Sequence, residues 1–236
     1  MIVRQTGDAF QLITQPHHAR LAGAIMQHSV ALAEHPRQSS ILLAIAEHDN
    51  GWSEPDAAPL IDPGTGFPLD FLSAPVAVRQ GVWPRGVARL AHDPWAAALV
   101  AQHAIAIFDR YRGDSAWTQF FSEMEMMRQA MLDAGPVLAG RLSMKDLVAD
   151  YRFVGLGDVI SLTFCNGWTD EQFDTWTIRL AGSHMFVSPD LFDGNTIPIG
   201  IEARKIHQRT FRSDAELRDA LAAAPATRLE GVITAV

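Results

Sequence analysis

The chain has 236 residues, of which 48% are hydrophobic and 19% charged, and its formal net charge is -8. This length and balance suit a globular unit with a sizeable interior and exclude wholesale disorder. The acidic surplus argues against a nucleic-acid backbone or an anionic membrane as the main partner, though a small anionic substrate stays open because a bound metal can reverse the field inside a pocket.

Ile2 to Gln5 and Phe10 to Thr14 flank Thr6-Gly7-Asp8, the pattern of a short β-hairpin. Pro16 suits the first turn of a helix running to about Ala33, where His35-Pro36 breaks it. Ser39 or Ser40 can cap a second helix with Ile41, Ala44, Ile45 and His48 at the helical period, ended by Asn50-Gly51. From about Trp52 to Arg89 the chain is rich in Pro and Gly without sustained periodicity, which predicts a long loop covering a site. Asp93-Pro94 opens a helix to about Arg112, and another spans roughly Asp114 to Ala134, with Gly135-Pro136 as its stop. Its Trp- and Met-rich part, Trp117 to Met131, reads as core. Ser143 and Asp146 resemble a capping box for a helix reaching about Cys165. Beyond Gly167, strands are expected at Trp176 to Leu180, Met185 to Val187, Ile201 to Phe211 and Arg228 to Val236, with a short helix capped by Ser213 and Glu216.

The expectation is a mainly α chain, α+β overall, forming one domain over 1–236. A helical core would span 16–166, and a small antiparallel sheet would form from the two ends, 1–15 and 167–236. Cys165 is the only cysteine, which rules out an intrachain disulfide and a Cys-rich zinc site. With no signal-peptide run and no span-length apolar stretch, a cytoplasmic location is expected.

A His-Asp dipeptide is expected about once by chance in this composition. There are two. His92-Asp93 reads as the N-cap of a Pro-started helix. His48 lies seven residues after Ile41 and three after Ile45, so it points inward, and Asp49 follows at the helix end. A buried imidazole beside a buried carboxylate is costly unless both are paired or bind a cation, and a divalent metal takes both as ligands. His18 shares a face with Leu21, Ala22 and Ile25, and fits it better than His17 does. Asp158 shares one with Tyr151, Val154, Ser161 and Leu162, and His103 one with Leu99, Val100 and Ile107. Four helices thus aim a His or Asp inward, as in bundle-core metal sites. Each also has a plain reading: His103 as a hydrogen-bonded core residue, and Asp158 as a partner for Tyr151, Arg152 or a backbone amide. His28, His35, His184 and His207 show no such convergence.

The order His18, His48-Asp49, Asp158 resembles the HD superfamily of metal-dependent phosphohydrolases over roughly 16 to 165, which makes the expected core HD-like. The phrases LITQPHHARLAG, AIAEHDNGW, DAAPLIDPGTGFP, GLGDVISLTFCNGW and SDAELRDALAAAP are similar to an uncharacterised bacterial family, a domain of unknown function distantly related to that superfamily. The resemblance implies one or two divalent transition-metal ions (Fe, Mn, Zn or Ni) held by His18, His48, Asp49 and Asp158, with His103 as a fifth polar group. Two departures stand out. Lys145 and Lys205 are the only lysines, and although Arg20, Arg79, Arg85 and Arg89 could bind phosphate, the sequence does not place them. Some HD-like proteins instead hold two irons and activate oxygen, an option that His103, helped by His92, keeps open.

The leading functional expectation is a metal-dependent hydrolase acting on a phosphoester of a small molecule or nucleotide. Asp49 and His103 would be catalytic, with His103 as general base, hydrogen-bond donor or second-metal ligand. Trp52, Asp56 and the Asp62 to Pro68 loop would shape the entrance. A di-iron oxygenase and a non-catalytic ligand-binding protein are the alternatives. The expected partner is a small molecule, with no nucleic-acid polymer and no membrane, and homo-oligomerisation is left open.

Overall fold

The computed structural model describes residues 1–134 and 143–236, so the expected stop at Gly135-Pro136 lies outside the described residues. Its largest element is a seven-stranded sheet, formed by β1 (Ile2–Thr6), β2 (Ala9–Ile13), β3 (Asp170–Phe173), β4 (Trp176–Ala181), β5 (His184–Ser188), β6 (Thr196–His207) and β7 (Ala226–Ala235). The strand order is β1-β2-β6-β7-β5-β4-β3. All pairs are antiparallel except β5 with β7, so the sheet is mixed.

This overturns the expectation of a mainly α, HD-like core with a small antiparallel sheet. Strands make up 21% of the described chain and curl into a half-barrel, beside 54% helix. The physical reasons are local. β3 is the polar run DEQF, with no apolar alternation to read. β6 begins five residues earlier than expected because Pro198 and Gly200 disguise it. Pro198 is tolerated there because that half of β6 pairs only with β7, while β2 pairs only with Arg204 to His207. The register supports burial: Ile197, Ile199, Ile201 and Ala203 all face the main core.

Nine helices lie among the described residues: α1 (Gln15–Met26), α2 (Val30–Ala33), α3 (Gln38–Glu47), α4 (Ser53–Ala57), α5 (Val76–Arg89), α6 (Pro94–Phe108), α7 (Thr118–Ala134), α8 (Met144–Asn166) and α9 (Asp214–Ala223). Thr14, Asp93, Ser143 with Asp146, and Ser213 cap α1, α6, α8 and α9. Ser39 and Ser40 do not cap α3. Its N-cap is Arg37, and Ser40 Oγ donates to Asp93 at 2.8 Å. No described helix is long and apolar enough to cross a membrane.

The expected loop over 52–89 is also corrected, because its second half is the 14-residue helix α5. Gly81, Pro84 and Gly86 hide that helix from a reading by propensity. An interior proline costs about 3 kcal/mol. Burying Val82, Trp83 and Val87 contributes roughly 2 kcal/mol apiece, so packing outweighs propensity. One hydrophobic cluster joins α1, α3, α5, α6, α7 and α8 to the sheet, and it includes Trp117, Phe120, Phe121 and Met124 of the Met-rich stretch. A smaller cluster, with Phe10, Leu12, Ile206, Phe211 and Leu217, lies where α9 meets the sheet.

A buried carboxylate ties the helices together. Asp150 on α8 accepts from Arg37 Nε at 2.6 Å, Arg37 Nη2 at 2.9 Å and Trp95 Nε1 at 2.9 Å. Asp150→Ala would strand these donors, with an expected loss of about 3–5 kcal/mol in urea unfolding. A loss below about 1 kcal/mol would show that the network does not hold α8 in place.

Candidate metal centre and its cavity

Three helices deliver polar groups into one apolar interior. His18 points inward from α1. His48 is the C-cap of α3, and Asp49 opens the 3-10 turn Asn50–Trp52. Asp158 lies midway along α8. The close approach of α8 depends on Gly157, where a Cβ would stand 3.0 Å from both Ile45 Cγ2 and Met26 Cγ. One ligand atom each from His18, His48 and Asp158 lies within 4.8 Å of the others.

The hydrogen bonds select the ring tautomers. Ser161 Oγ donates to the Asp158 carbonyl at 3.0 Å, so it accepts from Nδ1–H of His18 at 2.9 Å. His18 Nε2 then faces Asp49 Oδ2 at 2.7 Å. His48 follows the same logic, with its Nδ1–H donating to the Ile45 carbonyl at 2.7 Å. Its Nε2 is buried without a hydrogen-bond partner, 3.3 Å from Asp158 Oδ1 and 3.7 Å from Asp49 Oδ2. Imidazole lone pairs aimed at carboxylates repel unless a proton or a cation lies between them.

The ionisation tendencies follow. Burial disfavours a charged His48, but Asp49 and Asp158 outweigh it and lift the ring to about 9. Burial also works against ionised Asp158, yet His48, His103 and His18 hold its carboxyl well below the usual range. For His103 burial wins, lowering it to about 4 and keeping the ring neutral. His103 Nε2 is 3.7 Å from Asp158 Oδ2, and Nδ1 is 3.3 Å from the Tyr151 hydroxyl.

A divalent cation fits this donor set. It would satisfy the orphaned His48 Nε2, and the Nδ1 contacts already orient both rings as ligands. Asp49, His103 and Asp158 line a cavity of about 210 Å³. His18 and His48 are buried beneath these groups.

The structure brings together His18, His48, Asp49, His103 and Asp158, and Trp52 borders their cavity. It does not bring Asp56 there. Asp56 pairs with the Met1 amino group at 2.6 Å, accepts from Gln15 N at 2.6 Å, and lines a neighbouring cavity. The Asp62 to Pro68 loop is also elsewhere: Gly66 O accepts from Phe211 N, and Phe67 packs on Phe10. His92 is exposed and Asp93 caps α6, accepting from Ala96 N, so this second dipeptide is structural. His17 is only half-buried.

The wall residues that sequence reading missed are Phe71, Leu72, Trp83, Phe108, Arg110, Leu162 and Trp168, and Arg79, which the sequence offered for phosphate without placing it, lies among them. Arg79, Trp83, Gly86 and Leu90 recur at helical spacing, a signal submerged by the proline and glycines of α5. The 3-10 turn that follows α3 is fastened to this helix. A Cβ on Gly51 would collide with the Val82 carbonyl at 2.0 Å, Arg85 donates to Gly51 O at 2.8 Å, and Arg89 donates to Asn50 O at 2.5 Å. Arg85 and Arg89 also pair with Glu54, which removes them as phosphate ligands, and Arg20 is exposed on α1.

The chain belongs to the family described as Protein of unknown function (DUF3891), whose model matches residues 1–217. No curated protein and no solved structure matches it.

Because folding raises the His48 pKa from 6.5, its pairing contributes stability that is complete below pH 6.5 and lost as pH rises through about 9. In chelator-treated protein, the stability gap between parent and His48→Ala should therefore narrow across that range in urea titrations. A gap constant from pH 6 to 10 would contradict the ionised pairing.

Proposed function

We propose that the chain is a metal-dependent hydrolase acting on a phosphoester of a small molecule. The observation that carries this reading is the buried, partnerless Nε2 of His48, set among two carboxylates and two further imidazoles at the base of a cavity. The order His, His-Asp and distal Asp resembles the ligand order of HD phosphohydrolases, and the phosphoester class rests on that likeness.

His18, His48, Asp49 and Asp158 would hold the ion. When bound, a divalent metal supplies a water of lowered pKa and a Lewis acid for the substrate oxygen. The chain's own groups prepare for this. Ser161 and the Ile45 carbonyl occupy both Nδ1 positions, which leaves the two Nε2 atoms for the ion. His103 stays neutral at physiological pH, which suits a donor to substrate or an additional ligand better than a store for a proton. Trp52, Trp83 and Phe108 keep the cavity largely apolar and limit its water.

A di-iron oxygenase would have to build its second site around His103 without His92, which lies about three helical turns away along the chain and is exposed. The hydrolase reading uses every group in the cluster.

Metal analysis of untagged protein purified without chelator is the test, run beside His48→Ala and Asp158→Ala. Near-stoichiometric Fe, Mn, Zn or Ni is expected in the parent. Folded variants should lose it, together with at least about 100-fold of any phosphoesterase activity. A parent that neither carries nor takes up divalent ions would end this reading in favour of a non-catalytic ligand-binding protein. Two irons with substrate-dependent oxygen uptake would replace it with an oxygenase.

A further inference from the structure

Two guanidinium groups meet in the cavity wall without a carboxylate between them. Arg79 comes from α5 and Arg110 from the turn after α6, and both line the cavity that holds Asp49, His103 and Asp158. They flank one ring: Arg79 Cζ is 5.8 Å and Arg110 Cζ 4.9 Å from the centroid of Tyr111. Tyr111 in turn stacks on Trp117 at 4.8 Å and 7°, and Arg79 Cζ lies 5.6 Å from that indole.

The nearby acids are committed elsewhere. Asp109 and Glu125 both bind Arg112, at 2.9 and 2.8 Å, and Asp114 caps the turn at Ala116. Arg79 Nε is buried with no hydrogen-bond partner. Among the described residues, neither Arg79 nor Arg110 forms an ion pair. This is conspicuous in a chain with 27 acidic and 19 basic residues, where a carboxylate is the more abundant group. Hydrogen bonding from Arg79 and Arg110, with a smaller contribution from their charge, also draws the Tyr111 hydroxyl below the usual phenol range.

Converging cations of this kind repel one another until an anion joins them, and the planar fork of Arg matches the paired oxygens of phosphate or carboxylate. We propose that Arg79, Arg110 and Tyr111 form an oxyanion clamp that holds an anionic group of the substrate in the cavity above the buried His/Asp cluster. Arg110 is exposed and Arg79 half-buried, whereas His103 and Asp158 are buried, so the clamp sits on the solvent side of the cluster. Besides Gln15 and the His/Asp groups, the rest of the wall, including Trp52, Trp83 and Trp168, is apolar, so the arginines are the place in it for the anionic end of a ligand. The clamp deepens the hydrolase reading, and its role toward substrate rests on that reading. Its affinity for an anion does not.

The test is calorimetric titration with inorganic phosphate and, separately, acetate, on the metal-loaded parent, Arg79→Gln/Arg110→Gln and Arg20→Gln. At least a tenfold weakening in the double variant is expected, with metal content unchanged and with Arg20→Gln, an exposed position outside the cavity, close to the parent. The preferred anion then identifies the group as phosphate or carboxylate. Arg110→Gln alone, at an exposed position, should weaken binding about threefold and covers the case in which the double variant misfolds. The clamp is overturned if neither anion binds the parent, if the Arg79 and Arg110 variants bind as the parent does, or if Arg20→Gln weakens binding as much as they do. A metal-free parent with arginine-dependent phosphate binding would keep the clamp and remove the hydrolase reading. Metal-loaded protein with arginine-independent binding would do the reverse.

Discussion

An ionised carboxylate in a helical interior has to be matched by positive charge or by donors, and Asp158 is where this fold meets that requirement. It lies on α8 between residues that are wholly buried, and its neighbours are imidazoles instead of backbone amides. Hydrogen-bonded neutral partners would make it a passive structural group. Three histidines that compete for one carboxylate, one of them with an unpartnered nitrogen, make a centre whose charge is not balanced by fixed contacts alone. Asp150, eight residues earlier on the same helix, is the contrast. It receives three direct hydrogen bonds from Arg37 and Trp95 and leaves nothing open for a ligand.

The cluster was legible in the sequence because the α-helical period is a strong constraint. His18, His48, His103 and Asp158 each share a stripe with aliphatic residues, and a polar group in such a stripe must be buried. The two His-Asp dipeptides could be separated on the same grounds, since Asp93 precedes a proline at the first turn of α6 and Asp49 does not. The sheet was harder to read. β3 lacks apolar alternation, and Pro198 and Gly200 mark the start of β6 as a turn when its long pairing with β7 makes it a strand. Pairing partners far apart in sequence leave no local trace. The same holds for Asp56, expected to shape the entrance with Trp52 but paired with the Met1 amino group.

The largest misreading concerns α5, and it had functional weight. A segment interrupted by Gly81, Pro84 and Gly86 has poor helix propensity, so its amphipathic pattern did not count. Of these, Gly86 serves contact. Gly51 and Gly86 allow α5 to press against the turn that bears Asp49, with Asn50 wedged between them. Local propensity was set aside so that two backbones could touch, and a propensity-based reading fails where that happens.

This contact gives α5 two duties on one rigid body. Through Arg85, Arg89 and the Val82 carbonyl it braces the turn that follows Asp49, and through Arg79 and Trp83 it forms part of the cavity wall. Any slide of the helix would therefore disturb the His/Asp cluster and the recognition surface together. Arg110, on an exposed 3-10 turn, carries no such bracing of the cluster. Across descendants of this scaffold, drift in ligand preference has its freer route through that turn, while α5 is held to a narrow range of sequences by the geometry it must preserve.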